Sequence, residues 1–309
     1  MAKYSDIKGF TVQTVSTDPA ASAIDAGSWA AGSAINVGRS YAAGAGSTTA
    51  GIIFGGSEPS KSDKTETYNG SSWTEVNEMN TARAQMAPAI RAPYTAALIA
   101  GGEEPSISNK VESWDGSSWT EITEINTARR IAGGAGITTS MLVFGGYVGP
   151  PAGPPGTTNN TESWNGSAWT EVNEMNSARY TLCGAGATNT AALAFGGSAP
   201  PYAALTEEWD GTNWTEKSDL NTGRDEGMSA GIYNAALAIG GLASGAPYIT
   251  KTENWDGSSW TEISDLATGR AQGLSSAGTN TAAFVAGGNP GNLSSMEIFT
   301  AATTFQKQI

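Results

Sequence analysis

Six times along this chain an arginine stands ten residues after a tryptophan. The tryptophans are Trp29, Trp73, Trp119, Trp169, Trp214 and Trp260, and the arginines are Arg39, Arg83, Arg129, Arg179, Arg224 and Arg270. Successive arginines are 44, 46, 50, 45 and 46 residues apart. A Gly-Gly pair closes an apolar run once in each unit, at Gly55-Gly56, Gly101-Gly102, Gly145-Gly146, Gly196-Gly197, Gly240-Gly241 and Gly287-Gly288. A period near 45 is too long for a leucine-rich repeat and matches one four-stranded blade of a propeller. Such a unit cannot bury its own faces, so the copies must stack against one another.

The second unit shows the expected strands. Residues 84–90 are small and apolar, as an innermost strand must be where blades crowd an axis. Residues 95–100 form a continuous apolar run, which fits a strand buried on both faces, and Gly101-Gly102 turns the chain out of it. Residues 110–114 and 118–122 read as an outer hairpin around Asp115-Gly116, since Asp-Gly favours the positive φ of a tight turn. Asn69-Gly70, Asn165-Gly166, Asp210-Gly211 and Asp256-Gly257 repeat that signal.

The ends complete a circle. The last unit runs from Arg270 to Phe299 and stops before any Trp strand, whereas Trp29 has no strands before it. Residues 28–33 are therefore expected to supply the outer strand of the last blade, which leaves no blade open. The chain reads as all-β, with six four-stranded blades over residues 26–303. Residues 1–25, which lie outside the repeat, would be an arm acting as an extra outer strand or a docking segment. Residues 304–309 would be a tail.

Gly-Gly after an apolar strand, then an aromatic, then Trp, resembles the kelch repeat. The aromatic–Trp pairs are Tyr68/Trp73, Trp114/Trp119, Trp164/Trp169, Trp209/Trp214 and Trp255/Trp260, with Phe299 paired to Trp29 across the closure. The resemblance covers residues from about 28 to 300 and implies a six-bladed β-propeller. Many kelch proteins are protein-binding adaptors, and some are enzymes, including a copper oxidase acting on galactose. More narrowly, the copies of Thr-Glu-x-Trp-Asp/Asn-Gly-Ser-Ser-Trp-Thr-Glu resemble repeat proteins of tailed bacteriophages of aquatic bacteria. That likeness implies a virion protein.

Residues repeated six times are expected to be architectural. The tryptophans should pack between blades. Glu66, Glu112, Glu162, Glu207, Glu253 and Glu297 each lie two residues before the aromatic, on the same face of the strand. Each is expected to form a bidentate pair with one of the repeated arginines; the alternative is a ring of carboxylates for cations. Glu75, Glu121, Glu171, Glu216 and Glu262 follow the Trp and should point to solvent, guarding the blade edges.

Ligand contacts are expected where the copies differ. The loops after Gly-Gly vary most, with Tyr147, Tyr202 and Tyr248 beside proline-rich stretches. The resemblance also places the residue two after each arginine at the channel mouth: Tyr41, Gln85, Ile131, Thr181, Glu226 and Gln272. They are unlike one another and mostly hydrogen-bonding, which suits a sugar or peptide.

The remaining composition narrows the chemistry. The chain has no histidine and one cysteine, Cys183, so Ser-His and Cys-His units and ordinary zinc or copper sites are not expected. The formal charge of −13 argues against nucleic acid as a partner. No apolar run is long enough for membrane insertion. The sequence thus points to a non-catalytic, cofactor-free virion protein, either a tail-fibre or surface adhesin for a host glycan or protein, or a capsid or tail decoration contacting other virion proteins. An intracellular adaptor is a third reading.

Overall fold

The computed structural model describes residues 26–150, 156–198, 202–272 and 276–302. Strand β1 (Ser28–Gly32) comes first. The first blade holds β2 (Ala43–Ser47), β3 (Ala50–Phe54), β4 (Thr65–Tyr68) and β5 (Trp73–Val76). The second holds β6 (Ala87–Pro88), β7 (Leu98–Ala100), β8 (Val111–Trp114) and β9 (Trp119–Ile122). The third holds β10 (Gly133–Ile137), β11 (Ser140–Phe144), β12 (Thr161–Trp164) and β13 (Trp169–Val172). The fourth holds β14 (Cys183–Thr188), β15 (Ala191–Phe195), β16 (Thr206–Trp209) and β17 (Trp214–Lys217). The fifth holds β18 (Met228–Ile232), β19 (Ala235–Ile239), β20 (Thr252–Trp255) and β21 (Trp260–Glu262). The sixth holds β22 (Ser276–Gly278), β23 (Ala282–Ala286) and β24 (Met296–Thr300), and β1 is its outer strand. The molecule is an all-β, six-bladed propeller of antiparallel four-stranded blades. The register Trp29↔Phe299 places the expected pair directly opposite across the closure.

The tryptophans bridge the blades. Trp119 of the second blade meets Phe54 of the first, and its indole donates to Thr65 Oγ1 at 2.9 Å. Trp214 meets Phe144, Trp260 meets Phe195, and Trp73 meets Phe284 in the same way. Each blade also hydrogen-bonds to the next through Gly-Gly: Gly56 N–H donates to the Arg83 carbonyl at 2.8 Å, and the other five copies repeat this. Gly55 has φ +62°, and a Cβ there would lie 2.7 Å from that carbonyl. Glycine is therefore needed for both the turn and the close contact.

Two expectations on strands are corrected. The inner strand of the second blade is only Ala87–Pro88, not residues 84–90, and β7 starts at Leu98 rather than residue 95. Pro88 and Pro93 lack the N–H that a longer ladder needs. The chain from Ala89 to Ala96 makes two turns instead, Ala92 N–H to Ala89 O and Ala96 N–H to Pro93 O. The outer hairpins also turn differently from expectation. Four residues separate β8 from β9, and only Gly116 has positive φ, +97°. Asp115 acts through its side chain, accepting from the Ser117 and Ser118 N–H groups at 2.8 Å. These bonds hold its carboxyl low, at about 2.

At the axis the inner strands leave almost no space. A Cβ on Gly134 would lie 2.4 Å from Pro88 O, and one on Gly184 2.4 Å from Gly134 O. Ser229 and Ser276 fill what remains, bonding Gly184 O and Ser229 O. The axis is packed rather than an open pore. Residues 1–25 and 304–309, the expected arm and tail, lie outside the described residues.

Candidate functional site

Each repeated arginine is held against the repeated glutamate of its own blade. Nη2 to Oε1 distances are 2.5 Å for Arg39–Glu66, 2.7 Å for Arg83–Glu112, 2.8 Å for Arg129–Glu162 and Arg179–Glu207, and 2.7 Å for Arg270–Glu297; Arg224–Glu253 is a shorter contact. Both partners are buried in every blade. The expected bidentate fork does not form. One guanidinium nitrogen meets one carboxylate oxygen, because the other terminal nitrogen donates to two backbone carbonyls, as Arg129 Nη1 does to Gly145 O and Asn160 O. The second carboxylate oxygen accepts from an asparagine three residues before the arginine. Asn126 reaches Glu162 Oε2 through its backbone N–H at 2.6 Å and its side chain at 2.8 Å. The Asn-x-x-Arg spacing recurs at Asn36, Asn80, Asn176 and Asn221, with Ala267 in the sixth copy. It was visible in the sequence and gives the glutamate's second partner. Burial makes the Arg129, Arg179 and Arg270 guanidiniums weaker bases than usual, and the adjacent glutamate charges partly offset this.

Two residues beyond each of these arginines the chain forms the mouth. Tyr41, Gln85, Ile131, Thr181, Glu226 and Gln272 come together as one ring, all with left-handed φ between +48° and +64°. The N–H of each donates to the carbonyl of its counterpart in the preceding blade: Gln85 to Tyr41, Ile131 to Gln85, Thr181 to Ile131, Glu226 to Thr181, Gln272 to Glu226 and Tyr41 to Gln272. The circle is complete. Side chains narrow it further, since Tyr41 Oη donates to Glu226 Oε1 at 2.9 Å across the axis. Burial, then the Glu226 charge, pushes the Tyr41 phenol well above its ordinary range. The space beneath holds about one water. The six residues therefore make a floor to the loop face, not an open ligand cavity.

The loop face around that floor is where symmetry breaks. The residue after each repeated arginine is Ser40, Ala84, Arg130, Tyr180, Asp225 or Ala271. Arg130 stacks over Tyr147 at 4.9 Å, within reach of a cation–π contact, and Tyr147 packs edge-on against Tyr180. Arg130 also bonds Glu103 at 3.0 Å and Gln85 at 3.1 Å. Beside this cluster an open groove of about 450 Å³ lies between the loops of the first two blades, lined by Ser57, Ser60, Lys61, Glu104 and Pro105. Tyr202 is 40% exposed and Tyr248 half-buried on the same face. The proline stretches at 151–155 and 199–201 lie outside the described residues. Arg130 and Tyr180 were not among the expected site residues, although their departure from the repeat marks them in the sequence.

Asp225 is 8% exposed, and its Oδ1 has no hydrogen-bond partner. Burial and the neighbouring Glu226 push its carboxyl up to about 7. Cys183 is buried, and burial pushes its thiol up to about 12, so it stays protonated and unreactive. Among the described residues no group of three or more Asp, Glu or Cys side chains is placed to hold a metal ion, and no helix is long and apolar enough to cross a membrane. No protein-family model and no curated protein matches the sequence.

Proposed function

We propose that this chain is a kelch-type recognition propeller on a bacteriophage virion, binding a host-surface glycan or protein without catalysis. The observation that carries the reading is where the repeat is kept and where it is lost. The Arg–Glu boxes, inter-blade tryptophans and Gly-Gly contacts recur around the ring, while the outward residues of the loop face differ from blade to blade. Contact with an asymmetric partner requires unlike groups at equivalent positions. Arg130, Tyr147 and Tyr180, with the adjoining groove, offer rigid aromatic and hydrogen-bonding area at low entropy cost. The virion setting rests on the likeness of the Trp-Asp/Asn-Gly-Ser-Ser-Trp copies to phage repeat proteins.

The test is binding of the purified chain to candidate bacterial host cells and to a glycan panel, beside the triple variant Tyr147→Ser, Tyr202→Ser, Tyr248→Ser. Saturable binding that falls at least tenfold in the folded variant supports the reading. Absence of binding by the intact folded chain would overturn it in favour of a structural virion component.

A further inference from the structure

The opposite face of the propeller, where the β2–β3, β10–β11 and β22–β23 hairpins turn, carries its own break in symmetry. In five copies the inner hairpin reads Ala-Gly followed by three residues that end in Thr or Asn, as in Ala45-Gly46-Ser47-Thr48-Thr49. The second copy replaces it with Ala89-Ile90-Arg91-Ala92-Pro93-Tyr94-Thr95. Its arginine-to-Gly-Gly spacing is 18 residues, against 16 or 17 elsewhere. The insertion is built into the end of the axis. Arg91 N–H donates to Gly136 O of the third blade at 3.1 Å, and Arg91 Nη1 donates to Gly278 O of the sixth. Arg91 thus lies across the hairpin end of the packed axis.

Arg91 stands apart in its charge environment. Of the thirteen Lys and Arg side chains among the described residues, twelve lie within 4.0 Å of a carboxylate. Arg91 is the exception, and it is half-buried in a chain whose formal charge is −13. A half-buried cation without a counter-charge is disfavoured. Burial accordingly makes Arg91 a weaker base than usual, with no acidic group acting against that. Among the described residues only Nη1 is committed to a protein acceptor, which leaves the rest of its planar fork available.

The arginine lines a pocket of about 460 Å³ together with Ser47, Thr48, Pro93, Tyr94 and Thr279. Among the described residues no carboxylate lines it. That volume lies in the range of small-molecule sites. Tyr94 is 38% exposed, one of the two large apolar side chains most open to solvent. Its backbone is fixed by the Trp114 indole, which donates to Tyr94 O at 3.2 Å. The wall thus combines one unpaired guanidinium, a flat aromatic and a proline ring, and hydroxyls. A guanidinium fork matches a planar or tetrahedral oxyanion. An aromatic face and hydroxyl groups match the two sides of a pyranose ring.

We propose that this hairpin-face pocket binds an acidic saccharide, its oxyanion on Arg91 and its sugar ring against Tyr94 and Pro93. The site is separate from the loop face and does not rest on the function proposed for that face.

Calorimetric or NMR titration of the full chain tests this with four probes: a digalacturonate, a sulfated galactobiose, the neutral galactobiose and inorganic sulfate alone. The variants are Arg91→Met and Tyr94→Ser, with circular dichroism and thermal unfolding to establish that each is folded. The expected result is binding of an acidic disaccharide at least tenfold tighter than the neutral one and than sulfate. That preference should disappear in Arg91→Met, and Tyr94→Ser should weaken the saccharide severalfold while leaving sulfate unchanged. Whether the digalacturonate or the sulfated probe binds more tightly identifies the oxyanion. Equal binding of acidic and neutral sugars, sulfate binding as tightly as the saccharides, or no binding of either acidic probe would each overturn the proposal. Because Tyr94→Ser keeps the backbone carbonyl that Trp114 bonds and the Tyr94 side chain makes no hydrogen bond among the described residues, its variant keeps the test decisive if Arg91→Met fails to fold.

Discussion

Replacing Arg129 by methionine keeps the aliphatic stem of the side chain and removes its charge from a site that is 1% exposed. Four interactions disappear: the contact with Glu162 at 2.8 Å, the bonds to Gly145 O and Asn160 O, and a longer one to Thr127 O. Glu162 keeps its N–H donors from Asn126 and Thr127 but loses its counter-charge. Breaking one side of a buried pair costs about 3–5 kcal/mol. At about 2 °C per kcal/mol for a domain of this size, the melting temperature should fall by roughly 6–10 °C. The variant Glu162→Leu should cost a similar amount. The double variant should cost less than the sum by about 1–3 kcal/mol, the coupling expected of direct partners. Chemical denaturation and thermal unfolding of the four proteins at pH 7 measure all of this. A single variant costing below about 1 kcal/mol, or strict additivity in the double, would refute the argument that the box braces each blade.

Three further outcomes follow from the same geometry. The folded state holds a proton on Asp225 up to about pH 7, while the unfolded chain releases it near the ordinary value of about 4. This contribution is complete at low pH and is lost as pH rises through 7. Asp225→Asn should therefore gain about 2–3 kcal/mol on the wild type between pH 5 and pH 8, and parallel pH-dependence curves would contradict it. Thr181 sits at φ +54°, where a β-branched residue is strained. Thr181→Gly should stabilise the fold by about 0.5–1 kcal/mol, and a lower melting temperature would count against strain at the ring. Trp214→Ala removes the indole that packs on Phe144 and donates to Thr161 Oγ1 at 3.0 Å. It should cost about 3–5 kcal/mol, whereas a change under about 1 kcal/mol would show that the inter-blade contact is dispensable.

What was legible in the sequence is what side-chain chemistry repeats. The Trp-to-Arg spacing, the Gly-Gly pairs and the unequal ends define blades, their number and the split sixth blade, because each is a residue type fixed by packing or φ. The glutamate two residues before the aromatic could be read as the arginine's partner because both charges recur together. The mouth was less legible. Tyr41, Gln85, Ile131, Thr181, Glu226 and Gln272 share no preference for left-handed backbone, and the ring of hydrogen bonds between blades imposes it. Nor could residue types reveal that these side chains would close the mouth over a space of one water. Arg91 and Arg130 escaped for another reason: attention to repeated positions passes over residues that appear once. In a symmetric scaffold those single departures are where the chemistry of one blade differs from the next.

The pairing of β1 with β24 has a consequence for how the molecule is made. Residues near 30 are synthesised well before their partners near 298. Joining segments about 270 residues apart costs roughly 3–4 kcal/mol more loop entropy than a four-residue hairpin. The first strand must therefore wait while five blades assemble by local pairing. During that wait the rim of β24 is an unfilled slot, and at high concentration a neighbouring chain's β1 can occupy it. The clasp that makes the finished ring seamless is thus also the point where two unfinished rings would exchange strands.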